Sequence, residues 1–165
     1  MILLYADNND AVSDRLKTIL TDCGAKPVPD PKDGFFFLSC QEIPESLPQK
    51  GLAIITGNIA EKERTPLPHG WTGICEDENR NALYYFQKSG ISVITCGMNP
   101  KSTVTLSSLR EEGLLLSVQR SFSDLDGNTV EPSEYQIKVS QPIPTFIAAA
   151  VTAALLFHGI EPNQF

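Results

Sequence analysis

The chain has 165 residues, 41% of them hydrophobic, and its 13 basic and 20 acidic residues give a formal net charge of −7. This length and composition suit one domain over residues 1–165 and leave little room for a second. The negative charge disfavours nucleic acid and anionic membrane surfaces as partners. The apolar run at the N-terminus is far shorter than the core of a signal peptide, so we expect a cytoplasmic protein.

The N-terminal part of the chain predicts a strand, a helix and a second strand. Residues 2–5 are apolar and predict a buried strand, and residues 7–10 can cap the helix that follows. Residues 12–20 carry apolar side chains at helical spacing, and Gly24 is suited to end that helix. Frequent prolines restrict the next strand to residues 35–38.

Residues 51–57 predict a buried strand that ends in a glycine turn. A phosphate-binding loop would begin at this turn. Residues 58–62 lack the spaced glycines and the Gly-Lys-Ser/Thr ending with which backbone amides surround a phosphate. We therefore interpret Lys62 and Arg64 as solvated loop charges and expect no cofactor.

Residues 71–97 predict a strand, a helix and a strand, the unit from which open α/β sheets are built. Asn79 can cap the helix with its side-chain oxygen, and Gly90 can end it. The largely β-branched run 91–94 predicts a central strand covered on both faces, and Gly97 ends that strand.

Polar residues follow the strands of this predicted sheet. The carboxyl ends of strands in an open parallel sheet border the ligand-binding crevice, so these residues would share one rim. Acidic and amide residues at such positions are also ordinary helix caps and turn residues. The candidate ligand-binding residues are Thr56, Gly57, Asn58, Asp77, Glu78, Asn79, Gly97, Asn99 and Lys101.

The pattern after Gly97 changes from parallel to antiparallel. Residues 103–107 and 135–139 alternate in polarity, residues 114–118 are apolar, and residues 126–128 form a hairpin turn signal. We therefore predict a small antiparallel extension of the sheet.

The last predicted element is a helix over residues 146–157, ended by Gly159. The helix has almost no polar face, so other protein must cover it on most sides. We favour a cover from the N-terminal segment up to about Pro48, and a homodimer is the alternative.

Cysteine and histidine give no metal or catalytic motif. The four cysteines are widely separated without a C-x-x-C pair, so we interpret them as reduced thiols of the core. Neither His69 nor His158 has a partner nearby in the sequence that would define a metal site or a triad. The cysteines are Cys23, Cys40, Cys75 and Cys96.

The order of elements from residue 71 to 160 resembles the second half of the central, ATP-binding domain of Mur ligases. The matching features are the run Ile74-Cys75-Glu76-Asp77-Glu78-Asn79 with its helix, the strand Val93-Ile94-Thr95-Cys96-Gly97, the alternating strands, and the Ala-rich helix ending in His158-Gly159-Ile160. Mur ligases are ATP-dependent amide-forming enzymes of peptidoglycan synthesis. The resemblance implies a Rossmann-like, mostly parallel sheet flanked by helices, with the antiparallel extension.

Several positions depart from that family's pattern. Cys75 stands where the family has an Asn near the nucleotide base, although Asp77 keeps the first acidic place. Ile143, Pro144 and Ile147 stand where the terminal helix of the family carries His and Asn residues. The phosphate loop and recognisable magnesium ligands are also missing, and phosphoryl transfer needs both a nucleotide clamp and a metal.

These departures favour a non-catalytic relative that binds an unknown protein or small molecule on this scaffold, with a link to cell-envelope synthesis by analogy. The alternative is a small enzyme that acts on a metabolite at the rim. In that case Asp77 or Glu78 would act as a base and Lys101 would hold an anion.

We predict that the protein neither binds Mg-ATP tightly nor hydrolyses it, because the sequence has no phosphate loop and no basic cluster to replace one. Isothermal titration calorimetry at millimolar nucleotide and a phosphate-release assay test this. Micromolar binding or steady phosphate release would contradict the non-catalytic interpretation.

Overall fold

The computed structural model describes residues 1–6, 11–27, 37–59, 65–110, 113–139 and 141–163. In this part of the chain, three helices flank a mostly parallel eight-stranded sheet, and two short strands form a separate hairpin. The predicted α/β fold with an antiparallel extension is confirmed. In chain order the elements are β1 (Ile2–Tyr5), α1 (Ala11–Asp22), β2 (Phe37–Cys40), β3 (Lys50–Ile55), β4 (Gly70–Glu76), α2 (Arg80–Ser89), β5 (Ser92–Gly97), β6 (Val104–Arg110), β7 (Gly113–Val118), β8 (Phe122–Ser123), β9 (Thr129–Val130), β10 (Ser133–Ile137) and α3 (Thr145–Phe157).

The strands of the sheet lie in the order β10-β7-β6-β5-β4-β3-β1-β2. The chain divides into two compact units, Met1–Val93 and Ile94–Phe165, and the division falls inside β5. Within the described residues, no helix is long and apolar enough to cross a membrane.

The first unit begins as the sequence predicts. β1 is fully buried, and α1 buries Leu16, Ile19 and Leu20, which recur at helical spacing. Gly24 follows α1 with a φ of +94°, a conformation that suits glycine. The predicted caps at residues 7–10 lie outside the described residues.

Strand β2 differs from its predicted bounds of 35–38. It runs from Phe37 to Cys40, and residues 35 and 36 lie outside the described part of the chain. Parallel pairing with β1, from Ile2 opposite Phe37 to Tyr5 opposite Cys40, sets the observed length. Ser39 is exposed but belongs to the strand because it pairs with Leu4 of β1. The apolar pattern of the sequence alone does not indicate this pairing.

Two aromatic rings pack on glycines in this unit. A Cβ atom at Gly51 would lie 2.8 Å from the ring of Trp71, and one at Gly73 would lie 2.6 Å from the ring of Phe86. Trp71 and Phe86 are fully buried in the same hydrophobic cluster as Tyr85, so α2 packs closely on β4. The Trp71 indole also donates a hydrogen bond to the Pro48 carbonyl at 2.8 Å.

The second unit shows one difference from the sequence prediction. Antiparallel pairing was expected directly after Gly97, but β6 pairs parallel with the end of β5 through Cys96–Val104 and Gly97–Thr105. Antiparallel pairing starts one strand later, between β6 and β7. A full parallel crossover needs about a dozen residues or more. The short connection therefore pairs β6 only with the last residues of β5.

The predicted hairpin turn at residues 126–128 is confirmed. It joins β8 to β9, with Phe122 opposite Val130, and Gly127 has a φ of +90°. The Asp124 carboxylate accepts hydrogen bonds from the backbone of Asp126 and Asn128, at 2.9 and 2.8 Å. These bonds order the turn.

Helix α3 confirms the prediction of an apolar terminal helix. Every residue from Phe146 to Phe157 is buried within a single chain, and Ala148 packs with Leu116 and Ile137. Strands β6, β7 and β10 of the same unit supply contacts to α3. Cover by the N-terminal segment up to about Pro48 and the homodimer both stay predictions. Gly159 follows the helix with a φ of +69°.

We predict that Val151→Asp unfolds the protein, because Val151 has no solvent exposure and an unpaired carboxylate buried there costs several kcal/mol. Leu109→Asp is the matched control, since Leu109 is 75% exposed. Circular dichroism should show loss of structure in the first variant alone. A folded Val151→Asp variant that only changes from dimer to monomer in light scattering would contradict intramolecular packing.

Candidate functional site: a polar cleft after strands β3 and β4

An open cleft of about 440 Å³ lies at the carboxyl ends of β3 and β4, in the first unit. One wall is the segment after β3, and the other is the turn from β4 into α2. Only polar residues and one glycine line the cleft. They are Thr56, Gly57, Asn58, Glu76, Glu78, Asn79, Arg80 and Asn81.

The side chain of Asn79 joins the two walls of the cleft. Its Oδ1 accepts the backbone N–H of Ala82 at 3.0 Å, which caps α2 as the sequence predicts. Its Nδ2 donates to the backbone carbonyl of Gly57 at 3.0 Å. A single carboxamide therefore both begins the helix and holds the segment after β3.

Two further contacts fix the segment after β3. The Asn81 side chain donates through Nδ2 to Oδ1 of Asn58 at 3.2 Å. The backbone N–H and the hydroxyl of Thr56 both donate to the Tyr5 carbonyl, at 3.1 and 3.3 Å. The segment is thus held to β1 on one side and to α2 on the other.

Negative charge accumulates at the end of β4. Partial burial raises the pKa of the Glu76 carboxyl above its usual range, and the neighbouring Asp77 and Glu78 add to the effect. Burial raises the pKa of the adjacent Cys75 thiol to about 12, again helped by Asp77 and by Glu76. Cys75 is therefore a neutral thiol at physiological pH and not an activated nucleophile.

Three charged side chains of the cleft form no side-chain contact that stabilises the described part of the chain. Glu76, Glu78 and Arg80 are exposed, and none of them forms an ion pair or a side-chain hydrogen bond with another described residue. Two carboxylates supply hydrogen-bond acceptors, and one guanidinium supplies donors. These groups can engage a ligand without breaking a side-chain contact between residues that the structure describes.

The sequence-predicted rim residues fall into two groups. Thr56, Gly57, Asn58, Glu78 and Asn79 line the cleft, whereas Asp77 is not among the lining residues. The remaining predicted residues, Gly97, Asn99 and Lys101, belong to the second unit. There the Asn99 side chain accepts the backbone N–H of Lys101 at 2.9 Å within a local turn.

Three lining residues were missing from the predicted set: Glu76, Arg80 and Asn81. Glu76 is the last residue of β4, and Arg80 and Asn81 open α2. Their positions carry a usable signal, because both the last residue of a strand and the first turn of the next helix border the crevice of a parallel sheet.

The histidines and cysteines form no metal site among the described residues, where no group of three or more His, Cys, Asp or Glu side chains could hold a metal ion. His69 is exposed in a loop. Cys75 and Cys96 are buried and form no disulfide, as predicted. Cys23 and Cys40 also form no disulfide but are only half-buried, so their interpretation as core thiols is corrected. Cys23 follows the end of α1, and Cys40 lies on β2, at one end of the strand order, which limits their burial.

No protein-family model matches the chain, and no curated protein matches it at a significant level. Functional inference therefore depends on the cleft itself.

Proposed function

We propose that the protein is a non-catalytic binding domain that uses the polar cleft after β3 and β4 to hold a small ligand. The observation that carries this proposal is a cleft of about 440 Å³ whose lining is polar throughout. It lies where open α/β sheets bind their ligands, at the carboxyl ends of neighbouring strands. Its walls are held by hydrogen bonds to the fold, which leaves the charged side chains available.

The charges of the cleft favour some ligands over others. Two carboxylates, those of Glu76 and Glu78, line the cleft against the one guanidinium of Arg80. Partial burial is the main cause of the raised pKa of Glu76, and the neighbouring carboxylates of Asp77 and Glu78 add to it. Ligand phosphates would be repelled, because no phosphate-cradling loop offsets those carboxylates. Uncharged hydroxyl compounds and amines suit the cleft better, since hydroxyl and ammonium groups donate hydrogen bonds to carboxylates.

A second candidate function is catalysis on a metabolite in the same cleft. The observation in its favour is Glu76, whose pKa is raised by burial and by neighbouring carboxylates. Such a shift brings a carboxyl group nearer to the range in which it can act as a general acid or base. The neutral Cys75 thiol beside it offers no nucleophile to act with Glu76, so we rank binding first.

We extend the proposal to descent from the second half of the Mur ligase central domain. The succession β4, α2, β5, three further strands of the sheet and the apolar helix α3 supports this relation. The absence of a phosphate loop and the apolar start of α3 are consistent with loss of ATP-dependent chemistry. A role near cell-envelope synthesis follows by analogy with that family.

A thermal-shift screen of the purified protein tests the binding proposal. The panel contains nucleotides, UDP-sugars, uncharged sugars and polyols, and small amines. A ligand at 100 times its dissociation constant should stabilise the fold by about 2.7 kcal/mol and raise the melting temperature. We expect hits among the uncharged and cationic compounds, and weaker shifts for each hit in Glu78→Gln.

Glu131→Gln is the matched control, because Glu131 is an exposed carboxylate that does not line the cleft. It should respond to each hit as the wild type does. A hit that stabilises wild type and Glu78→Gln equally would place binding outside the cleft, and turnover of a hit compound would favour the catalytic alternative.

A further inference from the structure

We propose that Asn79 is the positioning residue of the cleft, and that its side-chain nitrogen has a task separate from helix capping. The proposal concerns the position of the segment after β3. It rests on the proposed function only in taking that segment as one wall of a binding cleft.

The two ends of the Asn79 carboxamide contact different parts of the first unit. Its oxygen caps α2 at Ala82, and its nitrogen donates to Gly57, which lies 22 residues earlier in the chain. Gly57 and Asn58 line the cleft, and both belong to the segment that this donation holds. A cap needs only an acceptor, so Ser and Asp serve equally well at this position of a helix. Neither residue reproduces the Asn79 donor at neutral pH, since an ionised Asp only accepts hydrogen bonds and the Ser hydroxyl, although its O–H can donate, ends one bond short of the position of the amide nitrogen.

The contacts around Gly57 show how the hydrogen bond from Asn79 positions the segment after β3. The segment is anchored at one end by Thr56 on Tyr5. At the far side, the Gly57 carbonyl and the Asn58 side chain are both tied to the start of α2, through Asn79 and Asn81. The Asn79 bond reaches the backbone, whereas the Asn81 bond joins two exposed side chains. Loss of the Asn79 donor should therefore remove this hydrogen bond from the Gly57–Asn58 peptide group while α2 stays capped.

The test compares ¹H–¹⁵N NMR spectra of wild type, Asn79→Ser and Asn79→Asp at neutral pH without any ligand. The amide of Asn58 belongs to the same peptide group as the Gly57 carbonyl, so its resonance reports on the hydrogen bond from Asn79. We expect this resonance to move by more than its linewidth in both variants. The hydrogen-exchange rate of the Ala82 amide should stay at its wild-type value in both, because a capping acceptor remains.

Gln87→Ala is the control, since Gln87 lies on the exposed side of α2 and does not line the cleft. The Asn58 resonance should stay in place in that variant. If the Asn58 resonance coincides with that of the wild type in both Asn79→Ser and Asn79→Asp, Asn79 is only a cap and the proposal is overturned. Asn79→Ser keeps a preferred cap, so it supplies a folded variant even if the carboxylate in Asn79→Asp destabilises the turn.

Because no ligand enters this measurement, its outcome is independent of the thermal-shift screen. A displaced Asn58 resonance supports the positioning role even if the screen yields no hit. Conversely, a confirmed ligand would not rescue the role if the Asn58 resonance stays in place.

Discussion

The first unit depends on the packing of two aromatic rings against glycines. Trp71 lies over Gly51 of the neighbouring strand, and Phe86 of α2 lies over Gly73. Each ring occupies the space that a Cβ atom would need. A ring in this position is therefore compatible only with glycine at residue 51 or 73. Protein interiors are packed densely enough that even one methyl group at such a contact is felt. The Phe86 contact lets α2 approach β4 closely, and we infer that it sets the position of α2 on the sheet.

The position of α2 leads directly to the cleft. The helix begins at Arg80, only four residues after the last residue of β4, and Asn79 caps it from between the two. The Asn79 side chain also donates a hydrogen bond to Gly57 after β3. One side chain therefore both caps the helix and holds one wall of the cleft. The buried strands β3 and β4 thus end at polar residues, and the Asn79 side chain pairs one backbone carbonyl after β3 and one backbone N–H of α2. Glu76, Glu78 and Arg80 have no side-chain partner among the residues that the structure describes, and we assign them to ligand binding.

Much of this arrangement could be predicted from the sequence, because it follows from local patterns. The Asn79 cap and the Gly90 end of α2 depend on neighbouring residues alone, and both are observed. The bounds of β2 and the parallel pairing of β6 depend on partner strands distant in the chain, so periodicity could not reveal them. The donation from Asn79 to Gly57 joins residues far apart in the sequence and has no sequence signal. For the same reason, the predicted rim combined residues of both units, and only those after β3 and β4 line the cleft.

A double-mutant cycle of Gly73→Ala and Phe86→Leu tests the ring-on-glycine contact most directly. Denaturant unfolding of the four proteins gives the coupling free energy. The added methyl group should cost about 1–3 kcal/mol on its own, because Phe86 is fully buried and cannot move aside. In the double variant the smaller leucine leaves room for that methyl group, so the double variant should be more stable than the sum of the single losses by at least about 1 kcal/mol. Additive losses, equal within about 0.5 kcal/mol, would contradict the claim that this contact sets the position of α2.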